Sequence, residues 1–559
     1  MYTARFGCLA LAIMIAGCEA RQHTPQPDPA PATRSGIEAI DADSYRDRVR
    51  KLASDEFEGR APFTDGETKT IEFLREEFQK AGLVPGNGDS WYQKVPLVEI
   101  TSESASLTLT GHSNLEPPLG EDAIIWTKRV TDAVKLSDSE LVFVGYGIVA
   151  PEYDWDDYEG IDVNGKTVVM LVNDPGYATQ DANLFHGNAM TYYGRWTYKY
   201  EEAARQGAAG AIVIHEVQPA GYPWEVVSSG WTGPQFDLVT ADKNFSRPVI
   251  EGWINTTTAA EIFAAAGITL EDARRAALHS DFEAKVLPWK VSGEIKNSIR
   301  ESSSYNVLGL LPGSDLADEY IVYMAHWDHM GRDESLEGDQ IFNGAVDNAT
   351  GTTALLELAE AFASVEPPVR RSVLFVAVTA EESGLLGSRY YGTNPVYPLA
   401  NTVAGVNMDG LNVHGRTRDV AVVGFGSSEL EQYLSRAARS QDRVIVAEPT
   451  PEKGFFYRSD HFNLAKQGVP VLYAESGFDY REGGTRRGTE LARDWIENRY
   501  HKVGDEYRED WDMSGAIEDI RLYFMIGHEL AASDAWPEWY STSEFKNIRE
   551  AMLETAGSR

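Results

Sequence analysis

Hydrophobic and polar positions change rhythm along the chain. Between residues 39 and 102 the apolar positions recur at helical spacing. Tyr45, Val49 and Leu52 share one face; Ile71, Leu74, Phe78 and Ala81 share another, and Gly82 marks a stop. Two such helices bury too little alone and need a partner surface. From about residue 103 to 297 the pattern becomes one of short strands and turns. Leu141-Val-Phe-Val-Gly-Tyr-Gly and Lys166-Thr-Val-Val-Met-Leu-Val are β-rich, and a small-residue helical stretch from Ala203 to Gly210 leads into Ala211-Ile-Val-Ile. This stretch reads as an inserted domain without a catalytic cluster.

From Tyr305 strands and helices alternate. Tyr320-Ile-Val-Tyr-Met-Ala is a buried-type strand ending at His326, and Ala354 to Phe362 is an apolar-faced helix. Ser372-Val-Leu-Phe-Val-Ala-Val leads to Glu381 and Glu382, Thr402 to Met408 leads to Asp409, and Val469 to Ala474 is a further strand. The expected class is α/β: a mixed, mostly parallel sheet covered by helices on both faces, carrying a β-rich insert. Ligands of such sheets bind beyond the carboxyl ends of the strands, where three of the candidate segments fall. No repeat of solenoid or propeller period occurs.

The ends of the chain change the picture. Residues 1–17 read as a signal peptide: a short basic start, then an apolar run from Cys8 to Ile15 too short to span a bilayer. Ile15-Ala16-Gly17-Cys18 resembles a bacterial lipobox, so residues 18–38 are expected to be a lipidated cysteine and a proline-rich extended tether. That implies export and a lipid anchor on a bacterial membrane, facing the periplasm or exterior. No other stretch suits a membrane helix. Residues 541–559 read as a tail. Cys8 and Cys18 are the only cysteines, which excludes a disulfide framework or a cysteine-rich metal site. The 559 residues carry a net charge of -36, which argues against nucleic acid or anionic lipid bound by charge alone.

The candidate chemistry lies in five segments: His326-Trp-Asp328, Gly344-Ala-Val-Asp347-Asn, Glu381-Glu382, Asn407-Met-Asp409 and Tyr500-His501. Two imidazoles, a carboxylate able to bridge and a spare carboxylate are what a two-metal hydrolytic site requires. Asp328, two residues beyond His326, can hold the imidazole by its other nitrogen. Asp347 sits in a small-residue turn before a helix, a place that also suits an N-cap. Glu381 and Glu382, adjacent at a strand end, point in different directions, so one can bind metal while the other faces substrate as a base.

In these motifs, with Glu381-Glu382-Ser-Gly-Leu-Leu-Gly-Ser, the chain resembles the M28 family of zinc metallopeptidases. The insert, with Phe143-Val-Gly-Tyr-Gly and Asp162-Val-Asn-Gly-Lys-Thr-Val-Val, resembles the protease-associated domain of many members. The resemblance implies the zinc-dependent exopeptidase fold, with residues 39–102 and 298–540 forming the peptidase and 103–297 the insert. It implies two Zn²⁺: His326 and Asp409 on one, Glu382 and His501 on the other, Asp347 bridging. Asp328 would orient His326, Glu381 would be the base, and Tyr500 would donate a hydrogen bond to the tetrahedral intermediate. Ser459-Asp460-His461 resembles a family segment near the site, with Asp460 and His461 as pocket residues; His329 and His414 read as structural. Peptides are the implied substrates, and an aminopeptidase is favoured. The alternatives are a carboxypeptidase or dipeptidase, with the loop Arg481 to Arg487 offering cations to a terminal carboxylate, a one-zinc acyltransferase like glutaminyl cyclases, or a non-catalytic ectodomain. Such a site also accepts cobalt or manganese. The sequence sets no oligomeric state.

Overall fold

The computed structural model describes residues 31–557 except Thr232. The signal peptide and Cys18 lie outside the described residues. The catalytic half is built on adjacent strands in the order Val444–Ala447, Asp419–Val422, Val471–Ser476, Thr402–Asn407, Leu316–His326, Arg371–Val378 and Lys285–Leu311. The three central ones, with Val471–Ser476, are parallel; Asp419–Val422 and Lys285–Leu311 join them antiparallel. Register positions the site: His326 pairs with Val378, and Met324 with Asn407. Three strand ends therefore finish level, and the acids that follow two of them emerge beside His326.

Both faces of this sheet are covered, which is why its strands are apolar throughout. Ile321, Tyr323 and Ala325 pack with the helices Ala42–Leu52, Gly351–Ala363 and Ser514–Ala531. Val322 and Met324 face the opposite way, toward Tyr391, Phe462 and Leu464. The two opening helices fall at Ala42–Leu52 and Asp65–Lys80 and bury Tyr45, Val49, Leu52, Leu74 and Phe78 in the same core.

Five expectations are corrected. Residues 31–38 of the expected tether are not extended but lie in a helix, Pro31–Ala39, packed on Gly351–Ala363 and Ser514–Ala531. Gly36 lies so close to the Phe524 ring that a Cβ would stand 2.0 Å from it. So short a helix is marginal alone and owes its form to this packing. The C-terminal segment is a helix too, Lys546–Ala556, anchored by buried Arg549, which donates to Leu399 O and Thr402 O. The insert is not built of short strands at its borders. Two long strands, Tyr92–Thr110 and Lys285–Leu311, run antiparallel across residues 103 and 297, so one sheet continues into the insert without a linker. The insert is also less purely β than expected. Parallel strands Thr167–Leu171, Gly210–Ile214 and Ile250–Ile254 carry helices Trp196–Arg205 and Thr256–Ala265. Finally, Arg481–Arg487 is not wholly a loop, because the helix Gly484–Asn498 begins within it. Among the described residues no helix is long and apolar enough to cross a membrane.

Candidate metal centre

The five segments converge. His326 Nε2 lies 3.1 Å from Asp409 Oδ1 and 3.3 Å from Asp347 Oδ1. His501 Nε2 lies 3.4 Å from Asp347 Oδ2 and 3.1 Å from Glu382 Oε2. Asp347 thus turns one oxygen to each imidazole. Two donors on one tetrahedral zinc, each about 2.0–2.2 Å from it, stand about 3.3–3.6 Å apart. The donor set and its spacing therefore fit metal ions, and the ligand atoms of His326, Asp347 and Glu382 lie within 4.8 Å of one another.

Backbone contacts set these positions. Thr352 Oγ1 donates to His326 O, and Trp327 N to Val378 O, which fixes the strand end. Gly344 has φ +53°, and a Cβ there would stand 2.3 Å from Asp347 O and 2.5 Å from the His329 ring; only glycine fits. The turn after His501 reaches back: the Asp505 carboxylate accepts from Val346 N and Asp347 N, and its carbonyl from Ala345 N. Asp347 and His501 are locked together although 154 positions separate them. The N-cap alternative for Asp347 does not hold, because Asn348 Oδ1 takes the helix amide of Gly351, together with Gly410 N.

Asp328 is close to His326 but acts differently from expectation. His326 Nδ1 meets the backbone carbonyl of Asp328 at 3.0 Å, while the carboxylate stands 3.9 Å away and accepts from Glu381 N at 3.1 Å. The residue meets the imidazole through its main chain and holds the Glu381 amide through its side chain. Tyr500 stacks on His501 at 3.9 Å and is half exposed. Asp460 is buried near the centre, and His461 packs edge-on to Phe456 at 4.6 Å. The His414 amide donates to Asn412 Oδ1. Arg486 pairs with Glu490, and Arg487 donates to His414 O.

His329, read as structural, lies against the candidate site. Its Nδ1 meets Glu382 Oε1 at 2.5 Å. Asp505 escaped the sequence reading. Ser459, in the segment read as near the site, donates its hydroxyl to Asp409 Oδ2 at 2.6 Å, and Arg60 supports the same strand ends. The Arg60 guanidinium donates to the carbonyls of Trp327, Leu52, Asn343 and Gly344. Burial lowers its pKa to about 10, against the pull of Asp505 and Asp347. His329 and Asp505 had a signal in their nearness to motif residues, and Arg60 in the segment Leu52-Ala-Ser-Asp-Glu-Phe-Glu-Gly-Arg60, which resembles the family's start.

The electrostatics follow from packing charges in a buried place. Burial pushes Asp328 up to about 7. Burial opposes charge on His501, but Glu382 and Asp347 carry it up to about 10. Burial also opposes charge on Glu382, yet His329 and His501 hold it down to about 2. Burial, with Glu382 and Asp409 close by, raises Glu381 well above the carboxylate range.

Residues 306–525, which contain every one of these ligand positions, match the sequence profile of Peptidase family M28. The aminopeptidase NAALADL1 of Mus musculus is 31% identical over 125 residues, 22% of this chain and 15% of its own length. The aminopeptidase YwaD of Bacillus subtilis is 36% identical over 90 residues, 16% of this chain and 17% of its own. The overlap thus spans less than a fifth of these relatives. Among solved structures, an aminopeptidase from Aneurinibacillus sp. strain AM-1 aligns with TM-score 0.47 and 16% identity, covering 90% of this chain and 97% of that one.

Proposed function

We propose that this protein is a metal-dependent exopeptidase, most simply an aminopeptidase, that hydrolyses peptide bonds at a two-zinc centre. The observation that carries this reading is that Asp347 offers one oxygen to each of two imidazoles. His326 and Asp409 would hold one ion, Glu382 and His501 the other, with Asp347 shared. Bound there, the ions would supply an acidified water and a polarised scissile carbonyl. Glu381 takes a proton from the attacking water and delivers it to the nitrogen of the leaving amine. The Asp328 carboxylate keeps Glu381 in place through its amide. The Tyr500 phenol donates a hydrogen bond to the developing oxyanion. The insert is read as a protease-associated domain, and the mature protein as exported and lipid-anchored through Cys18.

The test pairs metal analysis with turnover. Two metal ions per chain are expected, and Glu381→Gln should retain them while kcat on an amino-acid anilide falls about 10²–10⁴-fold. One ion per chain would point to acyl transfer. Near-normal turnover of Glu381→Gln would remove Glu381 from its role.

A further inference from the structure

The two carboxylates at the ends of the ligand set each have an inner and an outer oxygen. Glu382 turns Oε2 to His501 Nε2 at 3.1 Å and Oε1 to His329 Nδ1 at 2.5 Å. Asp409 turns Oδ1 to His326 Nε2 at 3.1 Å and Oδ2 to the Ser459 hydroxyl at 2.6 Å. The two kinds of distance mean different things. Donors that share one tetrahedral zinc stand about 3.3–3.6 Å apart. The imidazoles of His326 and His501 face Asp347, Glu382 and Asp409 at a similar 3.1–3.4 Å. A separation of 2.5 Å is too short for two donors on one ion and is a direct hydrogen bond to a charged acceptor. His329 is therefore not a further ligand but a donor to a ligand.

Little freedom is left to this ring. It is 1% exposed. A Cβ on Gly344 would stand 2.5 Å from its Cγ, and the His501 ring lies edge-on at 6.0 Å. Its loop is pinned on both sides: Arg60 donates to Trp327 O, and Gly331 pairs with Phe342. An ionised carboxylate only accepts, so the bond places the ring proton on Nδ1. Nε2 is buried and meets no acceptor that would draw the proton there. With Oε1 engaged by His329, Glu382 has Oε2 to offer. His501 Nε2, Asp347 Oδ2 and Glu382 Oε2 then make three protein donors, the number that leaves a fourth position for water or substrate at a catalytic zinc. A Glu382 free to give both oxygens would fill that position.

We propose that His329 is a positioning residue for the ion shared by Glu382 and His501, fixing Glu382 as a one-oxygen ligand through its Nδ1–H. The inference rests on the two-zinc reading and deepens it. Ser459 stands in the matching place on Asp409, so each ion has its own supporting donor, a ring N–H on one side and a hydroxyl on the other.

Zinc affinity, read by competition with a chelator, tests this together with crystals of the zinc-loaded protein, which show which ion is present. The wild type should hold two ions, with Glu382 bound through Oε2 alone and Oε1 still on His329. His329→Leu removes the donor at similar size. The ion at Glu382 and His501 should then bind about 10–100-fold more weakly, while the ion at His326 and Asp409 stays. His329→Asn puts an amide N–H where Nδ1 stands and should return most of that affinity. His329→Gln carries its amide where Nε2 stands; it should behave as the leucine variant does, and replaces it if that variant does not fold. Both Glu382 oxygens on the ion in the wild type, unchanged affinity in the leucine or glutamine variant, or equal weakening in the asparagine and leucine variants would each overturn the role of His329. A wild-type protein that holds no zinc, or one ion, would instead overturn the two-zinc reading and the inference with it.

Discussion

Replacing Arg60 by methionine should damage fold and site together. The side chain is 1% exposed and donates four hydrogen bonds at 2.7–2.9 Å, all to main-chain carbonyls. Methionine fills similar volume but donates nothing. Each carbonyl left buried without a donor costs about 1–3 kcal/mol. If three stay unpaired, the gross loss is about 3–9 kcal/mol. Removing the charge recovers several kcal/mol of desolvation. The net loss should be about 1–5 kcal/mol, set against the roughly 5–15 kcal/mol that holds a domain folded. Three of the four carbonyls belong to Trp327, Asn343 and Gly344, which flank His326 and precede Asp347. Metal affinity should therefore drop about 10–100-fold, as it does when residues supporting ligands are lost. Urea unfolding followed by tryptophan fluorescence, with metal titration of the folded variant, measures both. Arg508→Met, at a surface pair with Asp510, is the control and should leave both measurements as in the wild type. A loss below about 1 kcal/mol with unchanged metal affinity for Arg60→Met would refute the reasoning.

Two further outcomes follow from the same structure. Ser459→Ala removes the hydroxyl on Asp409 and should weaken metal binding about 10–100-fold with little effect on the metal-free melting temperature; equal affinities by competition with a chelator would contradict it. Asp237 in the insert pairs with Arg389 of the catalytic half and lies 3.5 Å from Lys128. Burial works against its charge, but Arg389 and Lys128 outweigh this and hold its carboxyl well below the ordinary range. As pH falls the unfolded chain binds that proton first, so the stabilisation is complete above about pH 4 and is lost below it. The melting-temperature gap between wild type and Asp237→Asn should be widest near pH 6–7 and narrow below about pH 4, whereas a gap independent of pH would exclude the pair as its source.

Much of the catalytic half is legible in the sequence because buried parallel strands must be apolar on both faces. The runs ending at His326, Val378 and Asn407 could bury themselves in no other way, and small polar or acidic residues after each run mark the ligand end. Helices showed where apolar spacing persisted, as at Tyr45, Val49 and Leu52. The reading failed where form came from distant packing. Pro31–Ala39 has the composition of a tether, yet Phe524 and its neighbours fold it. The strands Tyr92–Thr110 and Lys285–Leu311 pass through both expected borders of the insert, because each is held by the other rather than by its own pattern.

The amino-acid order by itself determined the donor inventory: two histidines, the acids Asp347, Glu381, Glu382 and Asp409, and the strands that carry them. Only the tertiary structure decided how those donors pair. It set one oxygen of Asp347 against each imidazole, gave His326 the carbonyl rather than the carboxylate of Asp328, and brought His329, Asp505, Ser459 and Arg60 into support. The reason is physical. Side-chain chemistry is local to a residue, whereas the distance between two charges and the water excluded around them depend on every element packed between.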